Sequence, residues 1–268
     1  MVKSILMVVS LFAFARVGEE PRIPDAGDSA ELAYATPLAE TGDRCDMTIG
    51  SGDACASGTC VELAGGDAGM CIPLLDGVAS VAAGIDHVCV STSAGDVHCW
   101  GDNTFGQLGT AGQAGSEVSL GGAAAEVTAG ERHTCALMAS GAVRCWGDNA
   151  LGQLGLGHTE MIGDDETPAS ATPLGGVATA IAAAGRHTCA ILAGGALRCW
   201  GDGSLGQLGY GDRAAVGDDE TPEARGDVPT AAPVSDVFVY PDHTCLELAS
   251  NDNPCVGVTW NGKIVYPQ

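Results

Sequence analysis

The chain has 268 residues, 40 of them Gly and only 4% aromatic, with 34 acidic against 11 basic side chains and a net charge of −23. So much glycine with so few aromatics excludes a large helical core packed on rings and favours short strands joined by tight turns. The charge repels phosphate backbones and excludes a nucleic-acid partner, while a basic protein or a cation stays open.

At the N-terminus Lys3 is followed by an apolar run from Ile5 to Ala15, broken only by Ser10. Ala13-Phe14-Ala15 has the small-x-small form of a signal-peptidase site, so residues 1–15 are read as an export signal. The run is about half of the ~20 residues that cross a bilayer, and no membrane span is expected once the signal is removed. Twelve cysteines, an even number, fit an oxidising destination, extracellular or in the cell envelope or periplasm. Residues 16–44 hold Glu19, Glu20, Pro21, Pro24, Asp25, Asp28, Glu31, Pro37 and Glu40 with no periodicity, the composition of a flexible acidic linker.

Residues 45–73 contain Cys45, Cys55, Cys60 and Cys71 among small polar residues. A segment this short has no core of its own, so two disulfides would have to hold it, and four cysteines leave three pairings open. Zinc is the competing reading, opposed by the missing C-x2-C pair and by export.

From residue 78 the chain repeats itself. VAAGIDHVCVSTSAGDVHCWGDNTFGQLG (81–109) is followed by VTAGERHTCALMASGAVRCWGDNALGQLG (127–155) and IAAAGRHTCAILAGGALRCWGDGSLGQLG (181–209), then by a worn copy, VFVYPDHTCLELASNDNPCVGVTW (237–260). The units run over about 81–126, 127–180, 181–236 and 237–268. His87, His133, His187 and His243 stand 46, 54 and 56 residues apart, a period that points to a propeller or solenoid.

Each unit predicts a hairpin. Cys135 and Cys145 centre it on residue 140, and a three-residue loop, Ala139-Ser140-Gly141, sets the two cysteines opposite each other. Such loops need positive φ at their third position, held by Gly95, Gly141, Gly195 and, in the worn unit, Asn251. Counting from Met138 and Ala142, the cysteines fall on a non-hydrogen-bonded rung, with Cα atoms ~4.5 Å apart and within reach of a disulfide. The expected bridges are Cys89–Cys99, Cys135–Cys145, Cys189–Cys199 and Cys245–Cys255.

Trp100, Trp146 and Trp200 follow the second cysteine of their units and are expected to pack between neighbouring blades. The Gly-Asp-(Asn/Gly)-x-x-Gly-Gln-Leu-Gly segment, with Gln107, Gln153 and Gln207, reads as a tight turn and crossover. It lacks the lysine and the helix context of a phosphate loop. The His-x-Cys pairs share a strand face, yet they recur in every unit and an oxidised cysteine is no nucleophile; each His is expected to brace the turn before its strand. No catalytic residues and no cofactor are expected. Asp164, Asp165 and Glu166, with Asp218, Asp219 and Glu220, offer hard oxygen ligands for Ca²⁺, set against the plainer reading of solvated acidic loops.

The recurring core GxxHTCAL…CWGDNxxGQLG closely resembles the regulator of chromosome condensation (RCC1) repeat, well over 78–209 and weakly over 234–260. The paired cysteines and the spacers IGDDETP (162–168) and VGDDETP (216–222) look like those of exported bacterial members, and the cysteine-rich segment is similar to modules that precede such repeats. The resemblance implies an all-β chain: an incomplete β-propeller with four-stranded blades, three good repeats and one degenerate, after a small disulfide-rich segment. Family propellers close with seven blades, so the expectation is either a truncated propeller or an open arc whose strand edges invite a second copy to complete the ring. The function implied is that of a non-enzymatic module binding a protein through loops such as 110–126, 156–176 and 210–233. A structural surface protein assembling through open edges is the alternative. The founder's nucleotide-exchange role is opposed by the signal, the disulfides and the charge.

Overall fold

A computed structural model describes residues 44–45, 59–63, 69–73, 75–110, 114–258 and 264–265. The export signal expected at 1–15, nearly all of the linker and Cys55 lie outside the described residues. The described residues are all-β apart from one turn of helix.

Two-residue β1 (Arg44–Cys45) and β2 (Thr59–Glu62) flank β3 (Gly69–Ile72) in a small antiparallel sheet. Cys60 and Cys71 face each other across β2 and β3, and both are disulfide-bonded. Four larger sheets follow in chain order. The first is β4 (Val78–Ala83), β5 (His87–Thr92) and β6 (Val97–Gly101); the second is β7 (Ala124–Ala129), β8 (His133–Met138) and β9 (Val143–Gly147). The third is β10 (Ala178–Ala184), β11 (His187–Leu192) and β12 (Leu197–Gly201). The fourth has β13 (Val234–Tyr240), β14 (His243–Leu248), β15 (Cys255–Val258) and the outer pair β16 (Ile264–Val265).

Each sheet packs on the next, with β4, β7, β10 and β13 innermost. These are the blades of an incomplete propeller. A blade has a leading face toward its predecessor and a trailing face toward its successor. Middle strands are therefore covered on both sides, and β8 (HTCALM) and β11 (HTCAIL) are buried at every position. That explains why they read as continuous apolar runs without alternation. Innermost strands such as β7 (AAEVTA) and β10 (ATAIAAA) are rich in alanine, whose small side chain lets neighbouring blades approach closely near the axis. Each innermost strand also has a register shift at the same place, between Ala124 and Glu126 in the second blade, a bulge that increases local twist.

The hairpins carry three-residue loops. The Met138 N–H donates to the Ala142 carbonyl and the Gly141 N–H to the Met138 carbonyl, both at 2.8 Å. Gly95, Gly141 and Gly195 have φ of 93°, 80° and 85°, and Asn251 holds 65° at the same place. Cys135 pairs in register with Cys145, and the four disulfides have Cα separations of 4.0–4.1 Å.

Among the described residues the expected fourth strand is present only in the last blade. In the other three a returning segment runs along the outer edge with isolated contacts. The Gly147 N–H donates to Ile162 O at 2.7 Å and the Thr172 N–H to Val143 O at 2.8 Å, with Gly201–Val216 and Val228–Leu197 the counterparts in the third blade. Pro168 lies within the stretch between those contacts and Pro173 directly follows it; neither can donate to a ladder, which breaks the edge into single bridges. In the third blade this stretch holds α1 (Pro222–Arg225), whose N-cap Thr221 accepts from the Ala224 N–H.

Candidate functional site

The recurring side chains divide into a lock between blades and a row of turns on one side of the arc. In the lock, Nε2 of His87 lies 2.9 Å from Thr134 Oγ1, Nε2 of His133 2.8 Å from Thr188 Oγ1, and Nε2 of His187 2.8 Å from Thr244 Oγ1. The expectation that each histidine braces its own turn is corrected: three of them reach the leading face of the following blade. His87 and His133 pack their rings against the glycines of their own turns, Gly84 and Gly130, without a hydrogen bond there, while His243 bonds within its own turn through Nδ1 to Asp242 at 2.7 Å. The threonines were overlooked, although each follows its histidine in the H-T-C triplet.

The tautomer follows from donor bookkeeping. Thr134 Oγ1 donates to the Gln107 carbonyl at 3.1 Å, so it accepts from His87, which places the proton on Nε2. Nδ1 of His87, His133 and His187 is buried without a partner. Protonation would set an N–H where nothing accepts it. Burial lowers His87 to about 4 against the weak pull of Asp102, and His187 to about 4 against that of Asp202. It lowers His133 to about 3, with His87 and His187 adding to the effect.

Trp146 Nε1 donates to the Gln107 carbonyl and Trp200 Nε1 to that of Gln153, both at 2.9 Å, so each tryptophan rests on the preceding blade. Gln107 is itself held: its Oε1 accepts from the Phe105 N–H and its Nε2 donates to Asp102. The sulfurs of the His-x-Cys pairs are in disulfides, and the histidine nitrogens facing outward are engaged by threonine. Replacing Thr188 with Val is expected to strand the His133 N–H and cost about 1–3 kcal/mol in urea unfolding. Thr188→Ser should retain most of that stability. Equal stability of wild type and T188V would show that the lock contributes nothing.

On the turn side, the connections between first and second strands touch one another along the arc. The Ile85 N–H donates to Glu131 O at 3.1 Å and the Glu131 N–H to Gly185 O at 2.7 Å. Arg132 lies 4.5 Å over the Phe105 ring, and Arg186 stands 3.9 Å from Glu131. The acidic spacers dock here, against the glycine turns of the preceding repeat: a Cβ on Gly106 would lie 2.8 Å from the Asp164 N, and one on Gly152 2.4 Å from the Asp218 N. In each triad, Asp164-Asp165-Glu166 and Asp218-Asp219-Glu220, carboxylate oxygens come within 4.8 Å of one another. Glu166 is raised by burial and by Asp165 and Asp164, and Glu220 by Asp219, burial and Asp218. The opposite side presents the hairpin tips, Ala139-Ser140-Gly141 and Ala193-Gly194-Gly195, with Val177 exposed beside them. The crossover segments return along the outer strand of their blades, bridging it at His98–Glu117, Gly147–Ile162 and Gly201–Val216.

Stacked antiparallel blades, locked by disulfide, His–Thr and Trp–carbonyl contacts, define the chain as a β-propeller protein. It carries repeats of the RCC1 type. A model of the regulator of chromosome condensation (RCC1) repeat matches residues 78–107, 124–153 and 178–207, and a second matches 94–137 and 140–191. Among solved structures, human WBSCR16 superposes with a TM-score of 0.59 at 22% identity, covering 74% of this chain and 54% of that one. Yeast RCC1 (Prp20), solved with Kap60 bound, gives 0.57 at 18% identity over 76% of this chain and 50% of that one. Prp20p of Saccharomyces cerevisiae, described with its binding to Gsp1p and histones, gives 0.57 at 19% identity over 76% and 52%. The chain spans about half the length of these structures. No curated protein matches the sequence.

Proposed function

We propose that this chain is an exported, non-enzymatic binding module that holds a protein partner on the turn side of its arc. The hydrogen-bonded row of turns at 84–86, 130–132 and 185–186 carries the reading, because it joins separate blades into one rigid platform with mixed chemistry. Exposed Ile85, the Arg132–Phe105 pair, Arg186 and the acidic spacers lie along it. The opposite side offers small hairpin tips, mostly Ala, Ser and Gly, with exposed Val177 beside them. A rigid scaffold that presents varied loops suits recognition. Protein binding by the yeast relative supports the same class of role here, and the partner's identity is this chain's own. The disulfides require an oxidising compartment, which favours export. No helix among the described residues is long and apolar enough to cross a membrane.

The test compares capture of an extracellular partner by wild type, by Ile85→Asp with Arg132→Glu on the turn side, and by Val177→Asp on the hairpin side. Wild type and V177D should retain one partner in common, with the turn-side variant weakened about a hundredfold, as loss of two anchoring residues implies. Equal retention by all three, or recovery of the chain only inside cells with free thiols, would overturn the proposal.

A further inference from the structure

Three blades have a predecessor and show what a leading face requires. One residue after the histidine stands Thr134, Thr188 or Thr244, each receiving a histidine from the blade before. Two residues further are Ala136, Ala190 and Leu246, all buried. Trp146 and Trp200 complete the face in the second and third blades by donating to a carbonyl of the preceding blade.

The first blade has no predecessor among the repeats, and its leading face is changed to match. Val88 replaces the threonine, at almost the same shape but without a hydroxyl that would lack its histidine. Val90 replaces the alanine. Val88 and Val90 are fully buried and Trp100 nearly so. What buries them is the small disulfide sheet: Leu63, Met70 and Ile72 form one apolar cluster with Val88, Val90 and Trp100. The Met70 methyl sits so close that a Cβ on Gly101 would come within 2.6 Å of it.

The other end of the stack differs. The trailing face of the fourth blade carries Phe238, 47% exposed, where the earlier blades have Ala82, Thr128 and Ala182. Glu247 is exposed where Leu137 and Ile191 are buried, and Cys245 and Cys255 are partly exposed while the other three bridges are buried.

We infer that the disulfide-rich module is a cap occupying the place of a preceding blade, so that the stack is sealed at its first face by its own chain. The cap consists of β2, β3 and Leu63. Head-to-tail closure, in which the last blade of one copy packs on the first blade of another, is thereby blocked, because the receiving face is already filled. On this reading no ring is completed by further copies through both ends. It stands independently of the binding role proposed above.

Hydrogen exchange on the full-length oxidised protein tests the cap. Strands 87–101 should be as protected as 187–201, and 243–258 should exchange at least about tenfold faster, as expected for a blade covered on one side only. If 87–101 exchanges as fast as 243–258, the cap is refuted. Met70→Asp with Ile72→Asp should raise exchange about tenfold at 87–101 and leave 187–201 unchanged, with mass by light scattering now rising with concentration. Unchanged exchange at 87–101 in that variant refutes the cap as well, and if the variant does not fold, the wild-type comparison decides. A wild type that light scattering shows as a closed ring of several copies also overturns the inference.

Discussion

Complete reduction of the four hairpin disulfides is expected to unfold the blades at ambient temperature. Each bridge joins residues ten apart in sequence. Closing so short a loop restricts the unfolded chain by about 3 kcal/mol per bridge. Four together approach the 5–15 kcal/mol of net stability common for a whole domain. The innermost strands of the first three blades are half or more alanine and aromatic residues make up only 4% of the chain, so much of the packing between blades is made by small side chains. Reduction should proceed in order. Cys89–Cys99, Cys135–Cys145 and Cys189–Cys199 are buried against the following blade, whereas Cys245–Cys255 lies on the uncovered trailing face. Titration with reductant, alkylation and peptide mapping should therefore find Cys245 and Cys255 modified first among these eight. The other six should follow together, with loss of the near-ultraviolet signal of Trp146 and Trp200. A fully reduced chain with an unchanged melting temperature would show that the core holds without its bridges.

The hairpins were legible because three independent features encode them: cysteine spacing, the positive-φ residue and the strand content agree in every unit, the worn one included. Asn251 in place of glycine confirmed the loop rather than obscuring it. The outer edges were not legible. A four-stranded blade was implied by resemblance alone, and proline within the returning segments, such as Pro168 and Pro173, leaves only single bridges there. The histidines were found but given the wrong partner. Nothing local distinguishes a histidine that braces its own turn from one that reaches across, because the acceptor lies 47 to 57 residues away. Val88 illustrates the same limit. It reads as an ordinary strand residue until the stacking of Met70 and Ile72 on it shows why the threonine of the other units is missing.

Acid is expected to open the blade interfaces well above the pH at which carboxylates protonate. His87, His133 and His187 are neutral in the fold, with values lowered to about 4, 3 and 4 from 6.5. Above pH 6.5 folded and unfolded chains bind the same number of protons at these sites, and the fold keeps its full stability. As the pH falls below 6.5 the unfolded chain takes up three protons that the fold refuses. Stability then drops by up to about 1.4 kcal/mol per pH unit for each histidine, until the folded values near 4 and 3 are reached. Between pH 6.5 and 5 the combined loss is on the order of 5 kcal/mol. The carboxylates act the other way. Glu126, Glu166 and Glu220 are raised in the fold by burial and by neighbouring carboxylates, so the fold takes up their protons before the unfolded chain does, and acidification relieves their strain from the raised values down to the ordinary carboxylate range. Substitution separates the histidine contribution from that of the carboxylates, and the histidine contribution falls in the window from 6.5 to 5. Urea unfolding across it should show a slope close to three protons, and His133→Gln, which keeps a donor for Thr188 without a titrating ring, should remove about one. A stability that is flat from pH 7.5 to 5, or a slope that H133Q leaves unchanged, would mean that water reaches Nδ1 and that the interfaces are looser than their packing indicates.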